Sequence, residues 1–95
     1  MKKGYWLAMV DVTDVERYPE YIAANRAAFD KYGARFIVRG GQAEVLEGPP
    51  ASRNVVIEFE SYQIALDCYH SPEYQAALKL RQKYSTAHFV IVEGA

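Results

Sequence analysis

One stretch, residues 54–82, changes hydrophobic period once and then repeats a helical pattern, which limits the chain to a small set of folds. Val55, Ile57 and Phe59 fall on every second residue, the period of a strand. Tyr62, Ala65, Leu66 and Tyr69, and then Tyr74, Ala77, Leu78 and Arg81, each fall at i, i+3, i+4 and i+7, the spacing of one helical face. Ser71-Pro72-Glu73 separates the two patterns. A serine able to cap, a proline with no N–H to lose in the first turn, and an acid at the positive end of the helix dipole predict that a second helix starts there.

The flanking segments extend this pattern. Residues 4–12 read as a strand with Tyr5, Leu7 and Met9 on one face and Trp6, Ala8, Val10 and Val12 on the other. Thr13-Asp14-Val15-Glu16 has the spacing of a capping box and predicts a helix behind it. Its buried stripe is expected to be Tyr18, Tyr21, Ile22, Asn25, Ala28 or Phe29, and Tyr32, with Gly33 as the left-handed stop. Pro19 predicts an irregular first turn, because it disfavours helical geometry at Tyr18. A second strand is expected at 34–39, resuming an extended pattern at 42–47 after a bulge or bend at Gly40-Gly41, a third at 53–60 and a fourth at 86–93. Gly48-Pro49-Pro50-Ala51-Ser52 is the connecting loop. Strand, helix, strand, strand, helix pair, strand is the order of an α+β, ferredoxin-like βαββαβ subunit: an antiparallel sheet with helices on one face.

Ninety-five residues suit a single domain, 1–95, near the size at which core burial only narrowly offsets chain entropy, so help from a partner is expected. Eleven basic against twelve acidic side chains leave no concentrated basic face, which argues against nucleic acid as a partner. No run of about 18 apolar residues suggests a membrane span, and no apolar signal region leads the chain, so a cytoplasmic address is expected. The single cysteine, Cys68, cannot form an intrachain disulfide and reads as a small core-side residue. No spaced set of metal ligands, no phosphate loop or dinucleotide fingerprint and no G-x-S-x-G turn is present, so neither metal nor cofactor is expected.

Helices on one face of a sheet normally leave the other face polar. Here the first strand is apolar on both faces, and the last sets Phe89 and Ile91 opposite Val90 and Val92. An uncovered apolar face marks an interface. The expectation is a two-fold homodimer joined through the open sheet faces into a shared barrel. Asp in place of Val10 is expected to split that dimer or unfold the chain.

GYWLAMVDVTD at 4–14, FDKYGARFIVRGG at 29–41, VLEG at 45–48, RNVVIEF at 53–59, YHSPEYQ at 69–75 and VIVEG at 90–94 together resemble the DUF1330 family over nearly the whole chain. The resemblance implies the ferredoxin-like subunit and the dimeric α/β barrel, but no agreed reaction. Wider relatives with this barrel include cofactor-free monooxygenases, haem-degrading enzymes, isomerases and ligand-sensing domains, an analogy of fold that carries little about chemistry.

The residues that could carry chemistry are few. Arg39 leads into Gly40-Gly41, where a guanidinium beside a permissive backbone can clamp a carboxylate or enolate. Its alternative is an ion pair with Glu58 or Glu60 across the neighbouring strand, and Arg53 has a similar pair of readings. Arg81 stands where the second helical pattern calls for an apolar side chain, so its stem packs while its head either forms a salt bridge or meets polar groups near Tyr74. Tyr5, Trp6, Tyr18, Tyr21, Tyr69 and Tyr74 are either core or the wall of an aromatic pocket. Arg39, Arg53, Tyr69, Tyr74 and Arg81 are the candidate substrate-binding residues. His70, at the break between helices, reads as a capping or solvent-facing residue, or with Tyr69 as a pocket lip. His88 shares a face with Val90 and Val92, where a polar side chain must find a partner, and is the candidate catalytic acid or base.

Two functions follow. The first is a cofactor-independent oxygenase or isomerase acting on a small organic acid or aromatic compound, with Arg39 or Arg53 holding the anion, His88 moving the proton and tyrosines packing the substrate. The second is a non-catalytic dimer that binds a metabolite or a protein partner. A buried His88 facing a cavity favours the first; a His88 bonded to a backbone carbonyl away from any cavity favours the second.

Overall fold

The doubly apolar strand β1 (Gly4–Val12) lies inside the sheet, hydrogen-bonded on one side to β3 (Arg53–Phe59) and on the other to β4 (Ser85–Glu93), with β2 (Arg35–Arg39) at the far edge. The order is β2-β3-β1-β4 and every pairing is antiparallel, in this computed structural model, which describes residues 2–95. Four helices, α1 (Tyr18–Ala24), α2 (Arg26–Tyr32), α3 (Tyr62–His70) and α4 (Pro72–Tyr84), complete the expected α+β order.

The register assigns the faces. Trp6, Ala8 and Val10 lie opposite Ile57, Val55 and Arg53 in β3 and opposite Ile91, Phe89 and Ala87 in β4, and this face is buried under the helices. Trp6 is its centre: the rings of Phe29, Phe59, Tyr69, Tyr74 and Phe89 stand 4.8–5.9 Å away, and the indole N–H donates to the Ala65 carbonyl oxygen at 2.9 Å. A tryptophan is buried without penalty only when that N–H is satisfied. Leu7, Met9, Val90 and Val92 occupy the other face and remain 37–46% exposed, an apolar strip on an uncovered sheet.

Ser71 starts α4 as expected: its hydroxyl oxygen accepts from the Tyr74 N–H at 3.1 Å and its hydroxyl donates to the Cys68 carbonyl at 2.7 Å. The α4 stripe Tyr74, Ala77, Leu78 and Arg81 is buried throughout, whereas in α3 the buried positions are Ala65 and Cys68, with Tyr62 left exposed.

Three expectations are corrected. The capping box does not form; α1 begins later, and Asp14 holds the approach instead, its carboxylate accepting from the Arg17 N–H at 3.2 Å and its carbonyl from the Tyr18 N–H at 2.9 Å. Pro19, in the first turn, sets that later start. The predicted single helix is two, meeting at buried Asn25. Residues 42–47 form no strand, because β3 begins at Arg53 and beyond Gly40, whose N–H donates to the Asn54 carbonyl at 2.8 Å, only the proline loop remains opposite. The bend expected at the glycines forms at Gly40, which takes φ +62°, and a further irregularity, a bulge in β2, lies between Phe36 and Val38.

Candidate functional site

That bulge decides which side of the sheet Arg39 occupies. In an unbroken strand, residues 36 and 39 would point to opposite faces. With one extra residue inserted, Phe36 pairs with Ile57 and Arg39 with Val55, both on the helix-covered face. Arg39 then lies over the Phe36 ring, its guanidinium carbon 3.9 Å from the centroid. Arg53, opposite Val10, opens β3 on the same face.

Between this face and helices α1, α2 and α4 lies a cavity of about 40 Å³, walled by Trp6, Tyr18, Tyr21, Phe29, Arg53 and Arg81 among others. A second, more open hollow of about 210 Å³ adjoins it and shares Ile22, Asn25, Phe29, Phe36 and Arg53 as walls. Arg39 lines this outer hollow with Arg26 and Asp30. No histidine, aspartate or glutamate lines the inner cavity.

Arg81 is the least expected tenant. It is only 6% exposed, yet its Nε donates to the Tyr74 hydroxyl at 3.3 Å and its guanidinium carbon lies 5.2 Å from the Phe89 centroid. The ion pairs among the described residues are Lys3–Glu60, Lys31–Glu73 and Arg35–Glu58, and none of them involves Arg81, Arg39 or Arg53. The predicted partners of Arg39 are therefore taken by Arg35 and Lys3. Burying a cation without an anion costs several kcal/mol even after relaxation, so an unpaired buried guanidinium needs a reason.

The phenols around it stay neutral. Burial, helped by Tyr21, raises the Tyr18 pKa above its ordinary value against the opposing pull of Arg53 and Arg81. Burial, helped by Tyr74, lifts Tyr21 well above its ordinary value. Burial likewise raises Tyr74, although Arg81 and Tyr21 pull it down. The Tyr21 and Tyr74 hydroxyl oxygens are 2.8 Å apart. At neutral pH the inner cavity is therefore lined by hydrogen-bond donors and aromatic rings, a surface suited to a flat molecule that ends in an oxyanion.

The structure brings Arg53, Arg81 and Arg39 to one region but not the other candidates. Tyr74 and Tyr69 sit behind the cavity wall, packed on Trp6 at 4.8 and 5.9 Å. His70 ends α3, exposed, with its ring edge against Tyr69. His88 pairs with Met9 on the uncovered face, exposed, in a groove of about 520 Å³ shared with Val45, Glu47 and Pro50. Tyr18 and Tyr21, which the sequence offers as core or pocket wall, line the cavity, and so does Asn25, which as sequence reads only as a position on a helix stripe.

A family model described as a domain of unknown function, DUF1330, matches residues 3–95. A protein of unknown function from Rhodopseudomonas palustris superposes with a TM-score of 0.78 at 17% identity, over 99% of this chain and 83% of that one. A cofactor-independent oxygenase from Streptomyces nogalater superposes at 0.66 and 10% identity, over 100% and 95%. A dimeric protein of unknown function and ferredoxin-like fold from Bacteroides fragilis superposes at 0.57 and 15%, over 96% and 95%. Likeness at these identities establishes the ferredoxin-like fold. A comparison with curated proteins finds no match.

Proposed function

The chain belongs to the DUF1330 family of domains of unknown function, and from that premise we propose that it is a homodimer, each subunit of which binds a small aromatic or enolic acid between its sheet and helices. The observation that carries this reading is Arg81, a buried guanidinium with no carboxylate partner on the wall of an aromatic cavity. An anionic ligand would supply the missing counter-charge. The homodimer reading draws on the apolar strip of Leu7, Met9, Val90 and Val92 and on the Bacteroides fragilis protein, which is described as dimeric.

Reactions that gather negative charge on a substrate oxygen suit such donors best, because neutral phenols and guanidinium groups stabilise an oxyanion without taking a proton. Oxygenation or isomerisation of an enolisable acid is of that type, and likeness to a cofactor-independent oxygenase supports it at the level of fold alone. A specific observation favours the non-catalytic alternative, metabolite binding: no imidazole or carboxylate lines the inner cavity to act as a base. His88, the candidate catalyst, would have to act in the groove on the dimer face, and the cavity reading does not use it. Cytoplasmic residence remains part of the proposal; no described helix is long and apolar enough to cross a membrane.

Calorimetry and thermal shift with benzoate and benzyl alcohol test the reading. Benzoate should bind and raise the melting temperature, since a ligand specific to the native state stabilises it, while the alcohol should do neither. Equal responses, or none to any small organic acid, would refute it.

A further inference from the structure

We propose that the ligand is a planar acid with an acceptor at each end: an oxygen head in the inner chamber under Tyr21 and Arg81, and a second carboxylate at the mouth beside Arg53 and Arg39. This rests on the acid-binding reading and gives the ligand a direction and a second charge.

Size sets the direction. A dry cavity able to take benzene has about 150 Å³. The inner chamber, at about 40 Å³, is too small for a ring but takes a carboxylate or carbonyl head, while the outer hollow of about 210 Å³ takes the body.

Hydrogen-bond polarity defines the inner head. A guanidinium can only donate, so the Tyr74 oxygen accepts from Arg81 Nε at 3.3 Å. Tyr74 is fully buried, and its own proton would be orphaned unless it goes to the Tyr21 oxygen, 2.8 Å away. The Tyr21 oxygen is then occupied as an acceptor, and its proton can go to the Asn25 amide beside it or to an acceptor in the chamber that both residues line. Arg81 is thus a positioning residue for Tyr21 as well as a source of charge, and the group it prepares for is an acceptor.

Charge defines the outer end. Arg26, Arg39 and Arg53 line the mouth against one carboxylate, Asp30. Arg53 belongs to both chambers. A methyl group on Gly40, which has φ +62°, would lie 2.8 Å from Arg53 Nη1 and displace the tip of that guanidinium. Arg39 is there only because of the β2 bulge.

The test compares terephthalate with 4-carbamoylbenzoate, an isostere lacking one charge, by calorimetry on the intact protein. Terephthalate should bind at least about tenfold more tightly, the gain from one charge-assisted carboxylate pairing. Arg39→Gln, at an exposed position, should reduce that preference severalfold. Tyr21→Phe should weaken both probes by a similar factor while keeping the preference. Equal affinity for the two probes, or Tyr21→Phe without effect, would overturn the proposal while leaving acid binding in place. Failure of the unmodified protein to bind either probe, or benzoate, would overturn both.

Discussion

Tyr21, Tyr74 and Cys68 are acids kept neutral by their surroundings, and this ties stability to alkaline pH. Burial, with a smaller contribution from Glu73, pushes the Cys68 thiol from 9.0 up to about 12, and burial raises both phenols above 10.0. Each group has a higher pKa folded than unfolded, so above the unfolded values the native chain holds more protons than the unfolded one. The thiol's contribution is complete below pH 9 and is lost as pH rises through 9 to about 12, and the phenols' contribution is complete below pH 10 and is lost above it. The urea midpoint should be level between pH 7 and 8.5 and fall clearly by pH 10.5; a midpoint that rises with alkali would contradict the burial of these groups. Cys68, fully buried, should ignore a thiol reagent at pH 8 and react on unfolding. At this scale the sequence was partly informative. Arg81 stood out because a cation interrupted an apolar stripe, whereas nothing local distinguished Tyr21 from a core tyrosine.

The join between α3 and α4 was the most legible element, since cap, proline and acid are adjacent in sequence and act on backbone groups a few residues away. Ser71→Ala removes both the acceptor for the Tyr74 N–H and the donor to the Cys68 carbonyl, and should cost about 1–2 kcal/mol in equilibrium unfolding. The start of β1 is a tighter constraint. A Cβ on Gly4 would stand 2.4 Å from the Ser61 carbonyl oxygen, a backbone atom held by the start of α3, so Gly4→Ala should lower the melting temperature markedly or abolish soluble expression. The β2 bulge was not legible. Gly40 marks the bend that ends the strand, as its sequence suggests, but the bulge falls where β2 must keep both Phe36 and Arg39 on the helix side of β3. That is a property of the pairing, not of the residues at the bulge.

Across the whole molecule, the register separates two substitutions that sequence alone could not. Val10 is buried in the helix-covered core, so Val10→Asp should unfold the chain. Leu7 is 37% exposed on the uncovered face, and Leu7→Glu should yield a folded monomer by light scattering and circular dichroism, with the unmodified chain at about twice its mass. A Leu7→Glu protein that remains dimeric would place the interface elsewhere. The sequence by itself determined the order of elements, the stripe of α4 and the doubly apolar first strand, because periodicity, caps and glycine stops act through neighbours along the chain. Only the fold brings Arg81 to the inner cavity and Arg39 to the hollow beside it, with Arg53 lining both, while His88 faces away. The sides taken by Arg39, Arg53 and His88 in β2, β3 and β4 are set by register, where a single inserted residue reverses the direction of every side chain beyond it.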